Sequence, residues 1–211
     1  MNRKKSNGIK QKQKIIQVAT RLMSKKGYKG SSLQEIADKA GIHKSTSFHY
    51  FKNKEELLLA VLRVSIDRVT ANLREILENQ DLSPEEKLHH AIHNHLDLLV
   101  KYIDNVKVYH SEIRFLSREN RRKYIETRKN YASYFEQIID QIKAGESGYF
   151  AGLDTKIVTF GILGMCNWVV HWYQNSGPLK TDEITDVFFR MLIPEDSLKP
   201  WTSKLQKSKK P

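Results

Sequence analysis

The chain has 211 residues, a single cysteine at Cys166, only 10 Gly and 5 Pro, and a formal net charge of +12. One cysteine excludes an intrachain disulfide and fits a reducing compartment. The start, MNRKKSNGIKQKQK, lacks the apolar run of a signal peptide.

The positive charge is segregated. Residues 1–54 hold fourteen Lys or Arg against two acidic residues, Glu35 and Asp38, while residues 55–198 hold 17 basic and 22 acidic groups and come to −5. Segregation of this kind marks a polyanion-binding face. A second basic run, Lys199 to Lys210, forms a tail. Residues 1–9 and 195–211 read as disordered basic termini.

A first helix is predicted from about Lys10 to Lys26, with Ile15, Ile16, Ala19, Leu22 and Met23 on one side and Gly27 as its stop. Ser31 or Ser32 can cap a second helix, whose Leu33, Ile36, Ala37 and Ala40 share one face and whose stop is Gly41. A third short helix, about Lys44 to Tyr50, is polar over most of its surface, with only Phe48 and the following Phe51 as core material. So little apolar surface cannot be there mainly for packing, and two helices joined by a tight Gly-containing turn read as a helix-turn-helix. Asn53 to Glu56 has the form of a capping box before a fourth helix that runs to about Leu77.

Ser83-Pro84-Glu85-Glu86 starts a fifth helix, striped by Leu88, Ala91, Ile92, His95, Leu99 and Tyr102. A shorter helix from about Val106 to Ser117 follows, then a long one from about Glu119 to Ala144 with Ile125, Arg128, Ala132, Phe135, Ile139 and Ile142 near one face. Asp154 or Thr155 starts the next. Its apolar part, Ile157 to Tyr173, is 17 residues long and contains Asn167 and His171, too short and too polar for a membrane span. A helix apolar nearly all round is instead expected to be buried on more than one side, and Gly161 and Gly164 admit a close neighbour. Thr181-Asp182-Glu183 opens a last helix carrying Ile184, Val187, Phe188, Met191 and Leu192, with Pro194 as its stop. These two terminal helices predict a subunit interface. The whole reads as all-α, with about nine helices.

The stretch from Gly27-Tyr28 through SSLQEIADKAGIHKSTSFHYFKNKEELL resembles the N-terminal domain of the TetR family of bacterial transcriptional repressors, over roughly Ile15 to Leu62. It departs from the family pattern at His43, where Ser or Thr is usual, at Ser47, where an apolar residue is usual, and at Phe48, where Tyr is usual. The resemblance implies a DNA-binding domain at 10–54 and a helical effector-binding and dimerisation domain at 55–194. It also implies a homodimer that pairs through its last two helices, binds a palindromic double-stranded operator and is released by a small-molecule effector, in the bacterial cytoplasm and on the nucleoid when bound. In that reading Lys44 lies near a phosphate or a guanine edge, and Ser45, Thr46 and His49 face the bases. Tyr50 and Lys54 match family positions that hold the phosphate backbone, with Lys29 and Ser32 clamping from the other side.

For an effector site the aromatic residues Tyr102, Phe115, Tyr131, Phe135, Trp168 and Trp172 stand in the helices that would line a pocket, with Arg114 and Arg118 in a cluster that also includes Arg121 and Arg122. The segment GMCNWVVHWYQNSGPLKTDEITDVFFRML is similar to the terminal helices of family members that repress fatty-acid or sterol degradation and sense acyl-CoA thioesters, which implies a long-chain acyl-CoA effector. A drug-like hydrophobic compound, a metal, or no effector at all are the other readings. His89 and His93 stand at i, i+4 with Asp97 one turn on, a spacing that can hold Zn or Cu, although a polar outward-facing helix side is the preferred reading and no metal is assigned. No cofactor is expected. No nucleophile–base pair, Gly-rich phosphate loop or pair of carboxylates in an apolar context is present, so an enzyme is not expected.

Overall fold

The structure, a computed structural model, describes residues 2–174 and 176–193, and of residues 2–6, 44, 47 and 48 the backbone only. Pro194 and the tail at 195–211 lie outside the described residues. Among the described residues the chain is all helical. The α-helices are α1 (Asn2–Gly30), α2 (Leu33–Ala40), α3 (Lys44–Tyr50), α4 (Lys54–Glu78), α5 (Pro84–Lys101), α6 (Ile103–Glu112), α7 (Arg118–Ala144), α8 (Thr155–Trp168) and α9 (Thr181–Leu192). Short 3-10 turns at Ile113–Phe115 and Val169–His171 follow α6 and α8.

The element boundaries follow local chemistry. α1 starts at Asn2, so residues 2–9 are helical where disorder was expected; Arg3, Lys4 and Lys5 in this segment are good helix formers. Gly27 breaks the run at φ 76°, ψ 168°, a backbone region that a side chain would strain. Ser32 caps α2 by accepting from the Glu35 N–H at 3.0 Å. The other end of α2 closes as a Schellman motif: Gly41 is left-handed, its N–H reaches Asp38 O and the Ile42 N–H reaches Ala37 O, both at 3.0 Å. At Asn53 only half of the expected capping box forms. Asn53 Oδ1 accepts from the Glu56 N–H at 2.8 Å, but the Glu56 carboxylate turns to the Lys52 N–H at 2.7 Å. Ser83 and Glu86 make the full reciprocal box. α6 starts at Ile103, three residues before the expected Val106, and ends at Glu112.

The helices form two compact units. One comprises the chain through Thr70 together with Leu98–Tyr131, and the other comprises Ala71–Asp97 together with the chain from Ala132 onward. In the first, α1 packs on α2 and α6, and α2 on α3. Ile15, Ala19, Leu22, Met23, Ile36, Ala37, Ala40, Leu57, Leu58, Val61 and Leu62 are buried there. Buried Asn105 donates to Val61 O at 2.8 Å, and Ser24 donates to Asp104 at 3.0 Å.

In the second unit the Leu88, Ala91, Ile92 and His95 stripe of α5 is buried, as are Ala132, Phe135, Ile139 and Ile142 of α7. Ile125, expected on that same α7 face, is 40 % exposed. α7 passes from one unit to the other between Tyr131 and Ala132, and in the first unit it is Tyr124 and Tyr131 that are buried. α8 buries Thr159, Ile162, Leu163 and Cys166. On its opposite side Ile157, Phe160 and Trp168 are exposed among the described residues.

His89 is mostly buried rather than facing outward as expected, while His93 and Asp97 keep an exposed side. His89 Nε2 pairs with Asp186 Oδ1 at 2.9 Å, His93 Nε2 with Asp182 Oδ1 at 2.6 Å, and Thr181 donates to Asp97 at 3.4 Å, so three successive turns of α5 grip α9. Among the described residues no three His, Cys, Asp or Glu side chains gather as a metal-binding group. No helix among them is long and apolar enough to cross a membrane.

Burial holds the His89 imidazole below its ordinary value of 6.5, and the Asp186 carboxylate offsets this only in part. The folded chain therefore binds this proton less readily than the unfolded chain. The associated stability is complete above pH 6.5 and is lost as the pH falls through the depressed folded value. His89→Gln should make the melting temperature fall less steeply between pH 7.5 and 5.5, by a few °C, the shift that roughly 1 kcal/mol produces in a chain of this size. Thermal melts of both proteins across that range test it.

Candidate nucleic-acid interface

α3 starts where the His43 carbonyl accepts from the Thr46 N–H at 2.9 Å. Ser45 and His49 are exposed, one turn apart on α3, and Thr46 and Tyr50 are half-buried. The side chains of Lys44, Ser47 and Phe48 lie outside the described residues. Phe51 is buried, as its core assignment requires, with Lys12 Nζ 5.5 Å above its ring. The Tyr50 hydroxyl donates to Gln11 Oε1 at 3.3 Å, and the Lys26–Glu35 ion pair at 2.6 Å ties α1 to α2. α3 is thus framed by α1 and α2, and its outward side carries hydroxyl and imidazole groups able to donate or accept at base edges.

Of the flanking cations, Lys29 is exposed, with its ammonium 5.5 Å over the Phe115 ring. Ser32 is exposed at the N-terminus of α2, where backbone N–H groups suit a phosphate oxygen. Lys54 is half-buried: its Nζ donates to Tyr28 O and stands 4.3 Å over the Tyr28 ring. Burial holds this ammonium below its ordinary pKa, with Glu112 acting in the opposite direction.

The eight residues proposed from sequence for an effector site divide between the two units. Tyr102, Arg114, Phe115, Arg118 and Tyr131 belong to the first unit, and Phe135, Trp168 and Trp172 to the second. Phe115 stacks on Tyr28 at 5.2 Å, and Arg114 lies 5.1 Å over Phe115, so both serve the head. Tyr131 and Phe135 are buried, Tyr102 is half-buried, and Arg118, Trp168 and Trp172 are exposed. Aromatic density along a helix does not tell which face is turned inward. The first unit does hold an open cleft of about 590 Å³, lined by Arg63 of α4 and by Arg122, Lys123, Glu126, Thr127 and Asn130 of α7. Only Arg122 belongs to the arginine cluster noted in the sequence. Arg63 stands 59 residues earlier, and no local pattern links the two.

A polar helix framed by two others, on the segment that carries the chain's whole formal excess of positive charge, defines a helix-turn-helix DNA-binding protein. Residues 15–61 match the model described as "Bacterial regulatory proteins, tetR family", and residues 81–194 match "Tetracyclin repressor-like, C-terminal domain". The chain belongs to the TetR family, and is therefore a transcription regulator rather than an enzyme. It is 26 % identical over 182 residues to the HTH-type transcriptional repressor KstR2 of Mycobacterium tuberculosis, covering 85 % of this chain and 89 % of that one. It is 29 % identical over 181 residues to the fatty acid metabolism regulator protein of Bacillus subtilis, covering 85 % and 92 %. The crystal structure of AibR in complex with isovaleryl coenzyme A and operator DNA is similar with a TM-score of 0.75 at 27 % identity, covering 87 % of this chain and 98 % of that one.

Lysine–phosphate contacts release counterions, so operator affinity should fall steeply between 50 and 200 mM salt, with log K linear in log [salt]. A flat salt dependence in a fluorescence-anisotropy titration would contradict the charge argument. In a site-selection assay Thr46→Ala should relax base preference, whereas Lys54→Ala should weaken binding to all sequences alike.

Proposed function

We propose that the chain is a homodimeric repressor that binds a palindromic operator and is released from it by a long-chain acyl-CoA. The observation that carries the dimer is the open side of the terminal helices. Ile157, Phe160 and Trp168 of α8 and Val187 and Met191 of α9 are each 51–69 % exposed. Among the described residues nothing lies within 4 Å of where a Cβ would stand at Gly161 and Gly164, which leaves room for a second helix to approach. Large apolar side chains clustered on two helices mark an interaction surface. A second copy of the same face, related by a two-fold axis, covers it with closed symmetry. The two recognition helices then address successive major grooves roughly 34–36 Å apart.

The effector reading is supported by the relatives: AibR is seen with isovaleryl coenzyme A, and a regulator of fatty acid metabolism is among the similar proteins. The Arg63–Arg122 cleft supports it chemically. Guanidinium groups offer paired N–H donors that match phosphate oxygens, and the nucleotide end of a CoA thioester carries such groups. These arginines face a cleft on a segment whose net charge is −5, so the cleft's basic character is local. Effector binding shifts the spacing of the two heads and lowers operator affinity. The protein acts in the cytoplasm and needs no bound cofactor.

Saturating long-chain acyl-CoA should release operator DNA in a gel-shift titration, while the free fatty acid releases much less. Equal release by both removes the thioester from the reading, and release by a drug-like apolar compound alone replaces it. Met191→Glu should convert the dimer to monomer at micromolar concentration in sedimentation velocity and weaken operator binding at least tenfold, because a carboxylate would be buried against its own copy.

A further inference from the structure

The corner at Tyr28 is held from three directions, and one of its holders lies far away in sequence. Gly27 leaves the α1 helix with positive φ, which turns the Tyr28 N–H toward α6. There the buried Glu112 carboxylate accepts it, with Oε2 at 3.0 Å. The Tyr28 carbonyl accepts from Lys54 Nζ and from Ser31 Oγ, the latter at 3.1 Å. The Tyr28 ring meets the Lys54 ammonium at 4.3 Å and stacks on the Phe115 ring at 5.2 Å. Tyr28 is therefore the shared seat of a lysine at the start of α4 and of the serine that leads into the N-terminus of α2.

We propose that Glu112 is a positioning residue for operator binding: by fixing the Tyr28 corner, it aims the Lys54 ammonium at a backbone phosphate. Lysine is a point charge on a flexible stem, and one that must be collected from solution binds a phosphate less well than one already held. One Lys54 N–H is engaged by Tyr28 O, and the ammonium has three, so two are left for the phosphate. Glu112 itself touches no DNA. Its buried carboxylate accepts from the Tyr28 N–H, and the carbonyl of the same residue accepts from the lysine. Removing it leaves the Tyr28 N–H unsatisfied and frees the corner. The inference rests on the reading of Lys54 as a phosphate contact.

The test uses the full chain and a duplex selected by the wild-type protein from a random pool. Operator Kd is measured from 50 to 300 mM salt for wild type, Glu112→Ala, Glu112→Leu, Glu112→Gln, Lys54→Ala and the double variant Lys54→Ala/Glu112→Leu, with melting curves to confirm folding. Glu112→Ala opens a gap and Glu112→Leu fills it, but both remove the acceptor. Each should raise Kd about tenfold at 150 mM salt and flatten the salt slope by about 0.9 per subunit, the signature of one lost phosphate contact. Glu112→Gln keeps the shape and an acceptor and should stay within threefold of wild type with the same slope. The double variant should match Lys54→Ala within twofold, because the two residues act through one contact. A wild-type slope in a folded Glu112→Ala or Glu112→Leu protein would overturn the proposal. So would multiplicative losses in the double variant, or a flattened slope in Glu112→Gln, which stays informative even if the other two do not fold. A wild-type chain that selects no duplex fails the DNA-binding reading itself, whereas wild-type binding with indifferent Glu112 variants fails only this inference.

Discussion

A helix that must present polar groups to a ligand cannot also hold itself in place by burial. α3 is seven residues long, shorter than an isolated helix can sustain in water. Its position is imposed from outside. α2 frames it through a Gly41 corner whose two backbone hydrogen bonds leave little freedom, and α1 reaches it through Gln11. The reading surface is thus only as well oriented as the joints between α1, α2 and α4, and the Lys26–Glu35 pair and the Lys54–Tyr28 hydrogen bond stand at those joints.

The joints use different physics for different tasks. Helix ends are closed by short-range side-chain caps at Ser32, Asn53, Ser83 and Asp154, each made within a few residues. The Tyr28 corner instead draws on α6 and on the start of α4, with hydrogen bonds spanning 84 and 26 residues. Caps define where helices begin, while long-range anchors define how one helix is turned against another. In the second unit the same division holds. Ser83 and Glu86 start α5, while His89, His93 and Asp97 align it with α9. Two histidines that suit a metal by spacing alone are here partners of carboxylates on another helix.

Much of this was legible before the structure. The helix-turn-helix, the Gly27 and Gly41 stops, the Ser83 box and the start of α3 were all readable because they depend on residues within one or two turns of each other. The exposure and contacts of the candidate effector residues, and the lining of the cleft, were not. Trp168 and Trp172 turn outward, Phe115 and Arg114 serve the Tyr28 corner, and the cleft that the first unit contains is built on Arg63 and Arg122, which share no local motif. Ile125 was misplaced because α7 changes partners midway, and a stripe drawn along the whole helix assumes one partner throughout.

Two things therefore belong to the chain by itself: an all-helical architecture, set by periodicity and caps, and a cationic head, set by where lysine and arginine are spent along the sequence. Which faces meet belongs to the tertiary structure. Burial of Glu112 against Tyr28, of His89 against Asp186 and of the inner side of α8 comes from packing between segments tens of residues apart, and the geometry of such contacts is decided by the shapes of both partners at once.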